Sequence, residues 1–190
     1  MTHPQAASQV RIIGGTHRGR RLPFADLPGL RPTGDRIRET LFNWLQPYIE
    51  GSSCLDLFAG SGALGLEAAS RGASNVVMLD TAMAVVRQLT ENKRKLGLDQ
   101  VSVIRADALQ WLEQDATPFD IVFLDPPFVD NLLQPLCQRL SMGWLTDGAL
   151  IYMEDALSRD MPPLPEGWEM KKQKSAGQVH YGLAYAPLPG

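Results

Sequence analysis

Four short apolar runs that each end at or near an aspartate constrain the fold of this chain more than any other feature. Helical segments near residues 62–71, 82–96 and 108–114 separate these runs. Strands that are buried on both faces read as nearly continuous apolar runs, and their alternation with helices is typical of a parallel sheet covered on each side. The sequence therefore predicts an α/β fold. The four runs are SCLDLF, NVVMLD, VSVIRAD and FDIVFLD.

The aspartates of these runs should lie together at one edge of the predicted sheet. Ligands of open α/β sheets bind beyond the carboxyl ends of the strands, and chance solvation would not place four carboxylates at one common position. The aspartates are Asp56, Asp80, Asp107 and Asp125. Structural alternatives stay open for three of them: Asp56 could fix the following loop through backbone N–H groups, and Asp80 or Asp107 could cap a helix.

A glycine-rich loop follows the first run in CLDLFAGSGALGLEAA. In dinucleotide folds such a loop lets a pyrophosphate approach a helix N-terminus. Asp56, four positions before the first glycine, would repel a phosphate but favour a cation. S-adenosylmethionine carries an ammonium group and no phosphate, so it fits better than NAD, with Asp80 bonding its ribose and Asp107 its adenine amino group. The pattern is G-x-G-x-x-G, at Gly60, Gly62 and Gly65.

Charge is divided unequally along the chain. Residues 1–38 contain seven arginines and no lysine, against Asp26 and Asp35, which gives this segment a net charge of +5. The whole chain carries −3, so the remaining 152 residues carry −8. A basic arm on an acidic body predicts a polyanionic partner, and a solvated surface is the alternative.

Local patterns predict the elements at both ends of the chain. QVRIIGGTHRGRRLPF is typical of a small hairpin that turns at Gly14 and Gly15. RPTGDRIRETLFNWLQP predicts a helix with Thr33 or Asp35 as N-cap, which ends at Pro47. Near the C-terminus, two strand-like runs around Gly177 predict an antiparallel hairpin that closes the sheet.

The N-terminus and the cysteines narrow the class of protein. MTHPQAASQV lacks the basic start and apolar run of a secretory signal, and no window approaches the roughly 18 apolar residues of a membrane span. We therefore expect a cytoplasmic protein that does not interact with membranes. Cys54 and Cys137 lie in apolar runs without metal-ligand spacing, so we expect buried free thiols and no metal site.

Several of these segments resemble a known enzyme family. LDLFAGSGALGLEAASRGA followed by FLDPPF is similar to class I S-adenosylmethionine-dependent methyltransferases, with the aspartate form of the amino-methylating Asn/Asp-Pro-Pro-aromatic motif. Together with RIIGGTHRGRRL, GLRPTGDRIRETLFNWL and AGQVHYGL, nearly the whole chain resembles the bacterial 16S ribosomal RNA guanine-N2 methyltransferase family of RsmD type. The resemblance implies an α/β, Rossmann-like, doubly wound and mostly parallel seven-stranded sheet with a C-terminal antiparallel hairpin. We expect a basic β-hairpin arm over residues 1–32 and a methyltransferase domain over residues 33–190.

The resemblance also implies an activity and its residues. An exocyclic base amine is a poor nucleophile, so the Asp125 carboxylate and the Pro126 carbonyl are expected to orient it and accept its hydrogens, while Phe128 stacks on the base turned out of its helix or loop. The expected catalytic residues are Asp125, Pro126, Pro127 and Phe128. The expected cofactor residues are Asp56, Phe58, Ala59, Gly60, Ser61, Gly62, Asp80, Thr81, Asp107, Ala108, Thr33 and Arg36. The residues expected to contact RNA are Arg11, Arg18, Arg20, Arg21, Arg31 and Arg38.

Other hypotheses are compatible with the same motifs. Adenine N6 in DNA or RNA, or a glutamine amide in a protein, is methylated by enzymes with the same proline motif. The chain has no stretch long enough for a separate DNA-recognition domain, and the arginine arm favours RNA over protein. A catalytically idle module that binds RNA or a dinucleotide is the alternative from another class. We expect 16S ribosomal RNA as partner, free or within the assembled 30S particle, and a monomeric enzyme.

Overall fold

The structure, a computed structural model, describes residues 8–28, 30, 32–128 and 131–187. Its main sheet confirms the predicted architecture, because five parallel neighbours are followed by a strand that is antiparallel to both strands beside it. The chain closes with the predicted antiparallel hairpin. In spatial order the strands are β5 (Val101–Arg105), β4 (Asn75–Asp80), β3 (Ser53–Asp56), β6 (Phe119–Leu124), β7 (Leu145–Ala156), β9 (Val179–Ala186) and β8 (Glu169–Ala176).

Helices cover both faces of this sheet. Successive strand residues point to opposite faces, so Leu55 packs in one buried cluster and Cys54 in the other. One face is covered by α1, α2 and α3, and the opposite face by α4 and α5. This is the doubly wound arrangement that the alternating pattern predicts. The helices are α1 (Asp35–Leu45), α2 (Gly65–Ser70), α3 (Met83–Leu96), α4 (Ala108–Trp111) and α5 (Leu133–Leu140).

The order of the strands creates a crevice beside β3. The chain runs outward from β3 to β4 and β5 and then returns to place β6 on the other side of β3. The connections on the two sides of such a switch point diverge and leave a cleft beyond the carboxyl ends of the strands. The predicted ligand edge and the switch point therefore coincide.

Helix α1 differs from the prediction at its first residue. Its N-cap is Gly34, which has no side chain to accept a hydrogen bond, so the prediction of Thr33 or Asp35 as N-cap is wrong. The Thr33 hydroxyl donates instead to Oδ2 of Asp125 at 3.1 Å. The helix ends at Leu45, before the proline, as predicted.

The N-terminal hairpin is present as a small sheet of β1 (Gln9–Arg11) and β2 (Arg21–Pro23), joined by a 3-10 turn at residues 15–17. Its apolar residues Val10 and Leu22 are buried in the same cluster as α1, α2 and α3. The arm is therefore packed on the main body.

A buried carboxylate on α2 ties the arm to the body. Glu67 is fully buried, and its Oε2 accepts the Ile13 N–H at 2.8 Å while its Oε1 accepts Nε of Arg71 at 2.7 Å. Arg38, also fully buried, approaches Oε2 of Glu67 at 3.6 Å and donates through Nη1 and Nη2 to the Arg11 carbonyl, each at 3.0 Å. The helix that follows the glycine loop thus positions the arm.

The remaining expectations concern the thiols and membrane-spanning segments. Cys54 and Cys137 are buried free thiols, as predicted, and burial raises the pKa of each to about 12. Within the residues that the structure describes, no helix has both the length and the apolar character needed to cross a bilayer.

Candidate active site

A cavity of about 810 Å³ opens at the carboxyl ends of the parallel strands. Its volume lies in the range of pockets that enclose a cofactor-sized ligand. It runs from the glycine loop after β3 to the proline motif after β6, and residues of the segment between β2 and α1 cover it. That covering segment contributes Leu27, Pro28, Leu30, Pro32, Thr33 and Gly34.

The buried Asp56 carboxylate holds the glycine loop through backbone hydrogen bonds. Its Oδ2 accepts the Gly65 N–H at 3.0 Å and its Oδ1 accepts the Phe58 N–H at 3.4 Å. The side chain is 1% exposed and does not line the cavity. Burial raises the pKa of Asp56 to about 7, although both backbone hydrogen bonds oppose the shift. The loop-fixing alternative therefore describes this residue, and its carboxylate occupies the helix N–H that a pyrophosphate would use in a dinucleotide fold.

The loop itself needs glycine at two positions. Gly60 and Gly62 have φ values of +50° and +80°, in the left-handed region that other residues rarely adopt. Gly62 does not line the cavity, because its Cα faces Leu89 and Leu66, whose methyl carbons would lie within 2.7 Å of an added Cβ. Gly62 therefore allows the left-handed backbone of the loop and its close packing on Leu66 and Leu89.

The next two aspartates line the cavity. Asp80 accepts the Gly60 N–H at 3.0 Å and the Ala82 N–H at 2.8 Å, so it joins the glycine loop to the loop after β4. Asp107 caps α4 by accepting the Gln110 N–H at 3.0 Å, as the structural alternative predicts. Because each carboxylate has about four lone-pair sites, both retain acceptor capacity toward a ligand.

Asp125 lies at the opposite end of the cavity from these residues. Burial raises its pKa to about 6, and the hydrogen bond from Thr33 opposes the shift. Pro126 is buried and Pro127 exposed, while Phe128 is half-buried, lines the cavity and belongs to neither core cluster. These positions disfavour a turn that has only a structural role and a phenylalanine packed in the core.

The sequence analysis missed one acidic residue in this cavity. Glu154, on β7, lines it and is 5% exposed. Tyr152, on the same strand, donates its hydroxyl hydrogen to Oε2 of Glu154 at 2.6 Å. The signal was available, because the run GALIYMED also ends in acidic residues and belongs to the strand beside β6.

The structure gathers most of the expected cofactor residues around the cavity and leaves three outside it. Asp56 and Gly62 lie beneath the loop, and Arg36 is exposed on α1 without lining the cavity. The residues brought together are Thr33, Phe58, Ala59, Gly60, Ser61, Asp80, Thr81, Asp107 and Ala108.

The expected RNA-contacting arginines divide by exposure. Arg38 is buried and bonded to protein acceptors, so its assignment to RNA is corrected to a structural one. Arg31 lies outside the described residues. The exposed arginines on the arm are Arg11, Arg18, Arg20 and Arg21.

The charge of the cavity wall is one-sided. Among the described residues that line it there is no lysine, arginine or histidine, whereas four are acidic. An acidic wall favours a cationic ligand and disfavours a polyphosphate. The acidic residues are Asp80, Asp107, Asp125 and Glu154.

Comparisons with known proteins agree with this geometry. A family model described as "Conserved hypothetical protein 95" matches residues 10–185. The Escherichia coli (strain K12) protein named ribosomal RNA small subunit methyltransferase D is 49% identical over 178 residues, covering 93% of this chain and 90% of that protein. The Haemophilus influenzae protein of the same name is 48% identical over 189 residues, covering 95% of each. The solved structure of the Escherichia coli yhhF protein has a TM-score of 0.91 and 45% identity, covering 96% of this chain and all of that one. These matches confirm the resemblance drawn from the motifs, and the chain belongs to this family of methyltransferases.

Proposed function

We propose that this protein transfers a methyl group from S-adenosylmethionine to the exocyclic N2 amine of a guanine in 16S ribosomal RNA. The observation that carries the proposal is that one cavity joins the glycine loop to the Asp125-Pro126 turn. The names of the close relatives support ribosomal RNA of the small subunit as the substrate. The exposed arginines of the basic arm fit a polyanion.

The donor end of the cavity suits S-adenosylmethionine. The acidic wall is compatible with an ammonium and a sulfonium charge, and the Asp56 carboxylate accepts the N–H of Gly65, the first residue of α2, which a pyrophosphate would otherwise use. Asp80 would accept hydrogen bonds from the ribose hydroxyls, and Asp107 would accept from the adenine amino group. When bound, the cofactor supplies a methyl group made electrophilic by the sulfonium charge.

The acceptor end orients the amine. The lone pair of an exocyclic amine is delocalised into the base, so the enzyme gains by holding the nitrogen in line with the methyl carbon. The Asp125 carboxylate accepts one amine hydrogen and the Pro126 carbonyl the other, and the two prolines fix the directions of these acceptors. Phe128, half-buried at the cavity wall, stacks on the flipped base.

The arm positions the RNA. Arg11, Arg18, Arg20 and Arg21 are exposed on it, and hydrogen bonds to phosphates fix register without reading sequence. The covering segment follows the arm in the chain and lines the cavity, so RNA bound along the arm would be directed toward Asp125. Monomeric enzyme suffices for this arrangement, because all of these residues come from one chain.

One experiment tests donor, substrate and atom together. The protein is incubated with labelled S-adenosylmethionine and, separately, with undermethylated 30S particles, protein-free 16S RNA, duplex DNA and bulk protein. Mass spectrometry of the digested RNA should find N2-methylguanosine. Comparison of the incubations with 30S particles and with protein-free RNA shows which form of the substrate is preferred. N6-methyladenine in any of the four incubations, or label in protein, would refute the proposal that guanine is the methylated base.

Calorimetry provides the control for the cofactor. S-adenosylmethionine should bind, and NAD should show no binding at the same concentrations. The reason is that the Asp56 carboxylate already accepts the N–H of Gly65, the first residue of α2. NAD binding with no affinity for S-adenosylmethionine would instead identify a dinucleotide-binding module.

A further inference from the structure

Glu154 lies beside Asp125 because of the register of their strands. The parallel strands β6 and β7 pair Leu124 with Met153, so the next residue of each strand is a neighbour of the other. Both carboxyl side chains line the cavity, and Glu154 is 5% exposed. The acceptor end therefore has two carboxyl groups on adjacent strands.

Hydroxyl groups hold both carboxyls in place. Tyr152 donates to Oε2 of Glu154 at 2.6 Å, and Thr33, from the segment before α1, donates to Oδ2 of Asp125 at 3.1 Å. The titratable groups that face Glu154 are Asp125 from β6, Tyr152 from its own strand and Tyr181, its register partner on β9. No cationic side chain lines the cavity within the described part of the chain. Two adjacent carboxyls without a counter-ion, of which Glu154 is buried and Asp125 half-buried, hold one proton between them near neutral pH.

We propose that Glu154 is a positioning residue for methyl transfer, which keeps one proton beside Asp125 and so maintains Asp125 as the ionised acceptor of the amine hydrogen. This inference rests on the proposed function, in which Asp125 receives the amine. It adds a second carboxyl to the motif that the sequence supplies.

The pKa values of the two groups agree with this distribution of the proton. Burial, and then the charge of Asp125, raise the pKa of Glu154 to about 8, while the Tyr152 hydrogen bond opposes the shift. Burial raises the pKa of Asp125 to about 6. Glu154 is therefore the weaker acid of the pair, so the proton that the two carboxyls share near neutral pH lies mainly on Glu154.

The proton on Glu154 serves the reaction in two ways. It gives Glu154 a donor on the strand beside Asp125, and it keeps a second negative charge away from the Asp125 carboxylate. As the N–C bond forms and the C–S bond breaks, the bonding pair passes to sulfur and the methylated amine gives one proton to Asp125. Ionisation of Glu154 removes the donor, so kcat should fall as the pH rises through about 8.

The test is the pH dependence of kcat and KM between about pH 5 and 9.5 for wild type and three variants. Glu154→Gln keeps a donor and cannot ionise, so its kcat should not fall through pH 8. Glu154→Leu removes the donor, and its kcat at pH 7 should be about tenfold or more below that of Glu154→Gln, with little change in the KM for the methyl donor. Asp155→Asn, a buried change on the opposite face of β7, should retain the wild-type pH profile.

Thermal unfolding gives a readout independent of activity. A raised pKa in the folded protein makes the ionisation of Glu154 cost stability as the pH rises toward about 8, and this cost is absent well below its ordinary value. The melting temperature of Glu154→Gln relative to wild type should therefore increase from about pH 5 to about pH 9. This comparison decides the matter even if Glu154→Leu fails to fold.

Two results would overturn the inference. In the first, Glu154→Gln loses as much kcat as a folded Glu154→Leu, which would mean that a charged Glu154 is required. In the second, Glu154→Gln retains the fall through pH 8 or shows no relative gain in melting temperature. Failure of the proposed function is distinct, because wild type itself would then transfer no methyl group to RNA.

Discussion

The carboxylates on the two sides of the switch point are held by different donors. On the donor side Asp56, Asp80 and Asp107 accept hydrogen bonds from backbone N–H groups. On the acceptor side Asp125 and Glu154 accept from the side-chain hydroxyls of a threonine and a tyrosine. The first group holds the backbone of the loops that form the cavity. The second group is bonded to side-chain hydroxyls instead of to loop N–H groups. Substitutions should therefore damage cofactor binding and folding on one side, and catalysis alone on the other.

The largest expected effect is on the acceptor side. Asp125→Ala removes the acceptor of the amine hydrogen, and kcat should fall by at least about 1,000-fold. The affinity for S-adenosylmethionine, measured by calorimetry, should stay close to that of wild type because no backbone hydrogen bond is removed. A folded mutant that retains most of its kcat would remove Asp125 from the chemistry, and an equal loss of donor affinity would erase the contrast between the two sides.

On the donor side, Asp80→Ala should weaken the binding of S-adenosylmethionine. The change removes a charged acceptor worth about 1.5–3 kcal/mol, which corresponds to about 10- to 150-fold in affinity. Asp80→Asn is the matched control, since its amide oxygen can still accept one of the two loop N–H groups. Unchanged affinity in Asp80→Ala would show that the ribose lies elsewhere.

Asp56→Ala separates loop building from direct contact on the same side. It leaves the buried Gly65 N–H and the half-buried Phe58 N–H without an acceptor, so we expect lower thermal stability together with weaker cofactor binding, each by about 1–3 kcal/mol. Melting temperature and calorimetry on one preparation measure both. Weakened binding at wild-type stability would indicate a direct contact between Asp56 and the cofactor instead.

The pH dependence sharpens the acceptor side further. In the proposed mechanism Asp125 must be ionised to accept the amine proton, and its pKa is raised to about 6. Wild-type kcat should therefore fall as the pH drops through about 6. Asp125→Asn, whose amide oxygen accepts without titrating, should retain part of the activity and lose this acid limb. An acid limb that persists in Asp125→Asn would have to come from another group.

The smallest expected effect lies outside the cavity, on the arm. Replacing Arg18, Arg20 and Arg21 with alanine should weaken RNA binding and leave donor binding intact. The slope of log affinity against log salt should become shallower by roughly 0.7–0.9 for each phosphate that the arm no longer neutralises. A control that removes the same charge from the exposed face of α3, through Arg87, Arg94 and Lys95, should leave the slope unchanged. An unaltered slope in a well-folded arm variant, or a lower melting temperature alone, would make the arm a structural element.

The sequence determined the sheet and the residues that cluster at its edge. Nearly continuous apolar runs and the intervening helical segments fix which surfaces must be buried, and strands buried on both faces are typical of a parallel sheet covered by helices. The position of Asp125 before two prolines likewise follows from local chemistry. Local patterns therefore predicted the four aspartates at the sheet edge, but they did not predict Glu154.

Contacts between distant segments were decided only by the tertiary structure. Arg38 belongs to the arginine-rich N-terminal segment and was therefore expected to contact RNA. It is buried against Glu67 because α1 and α2 pack on the same face of the sheet. Thr33 was a plausible helix cap, but its hydroxyl reaches Asp125, 92 positions away. Glu154 lies beside Asp125 only through the register of β6 and β7. Such pairings depend on which strands become neighbours, and a single sequence encodes that choice in the packing of the whole core and not in any local run.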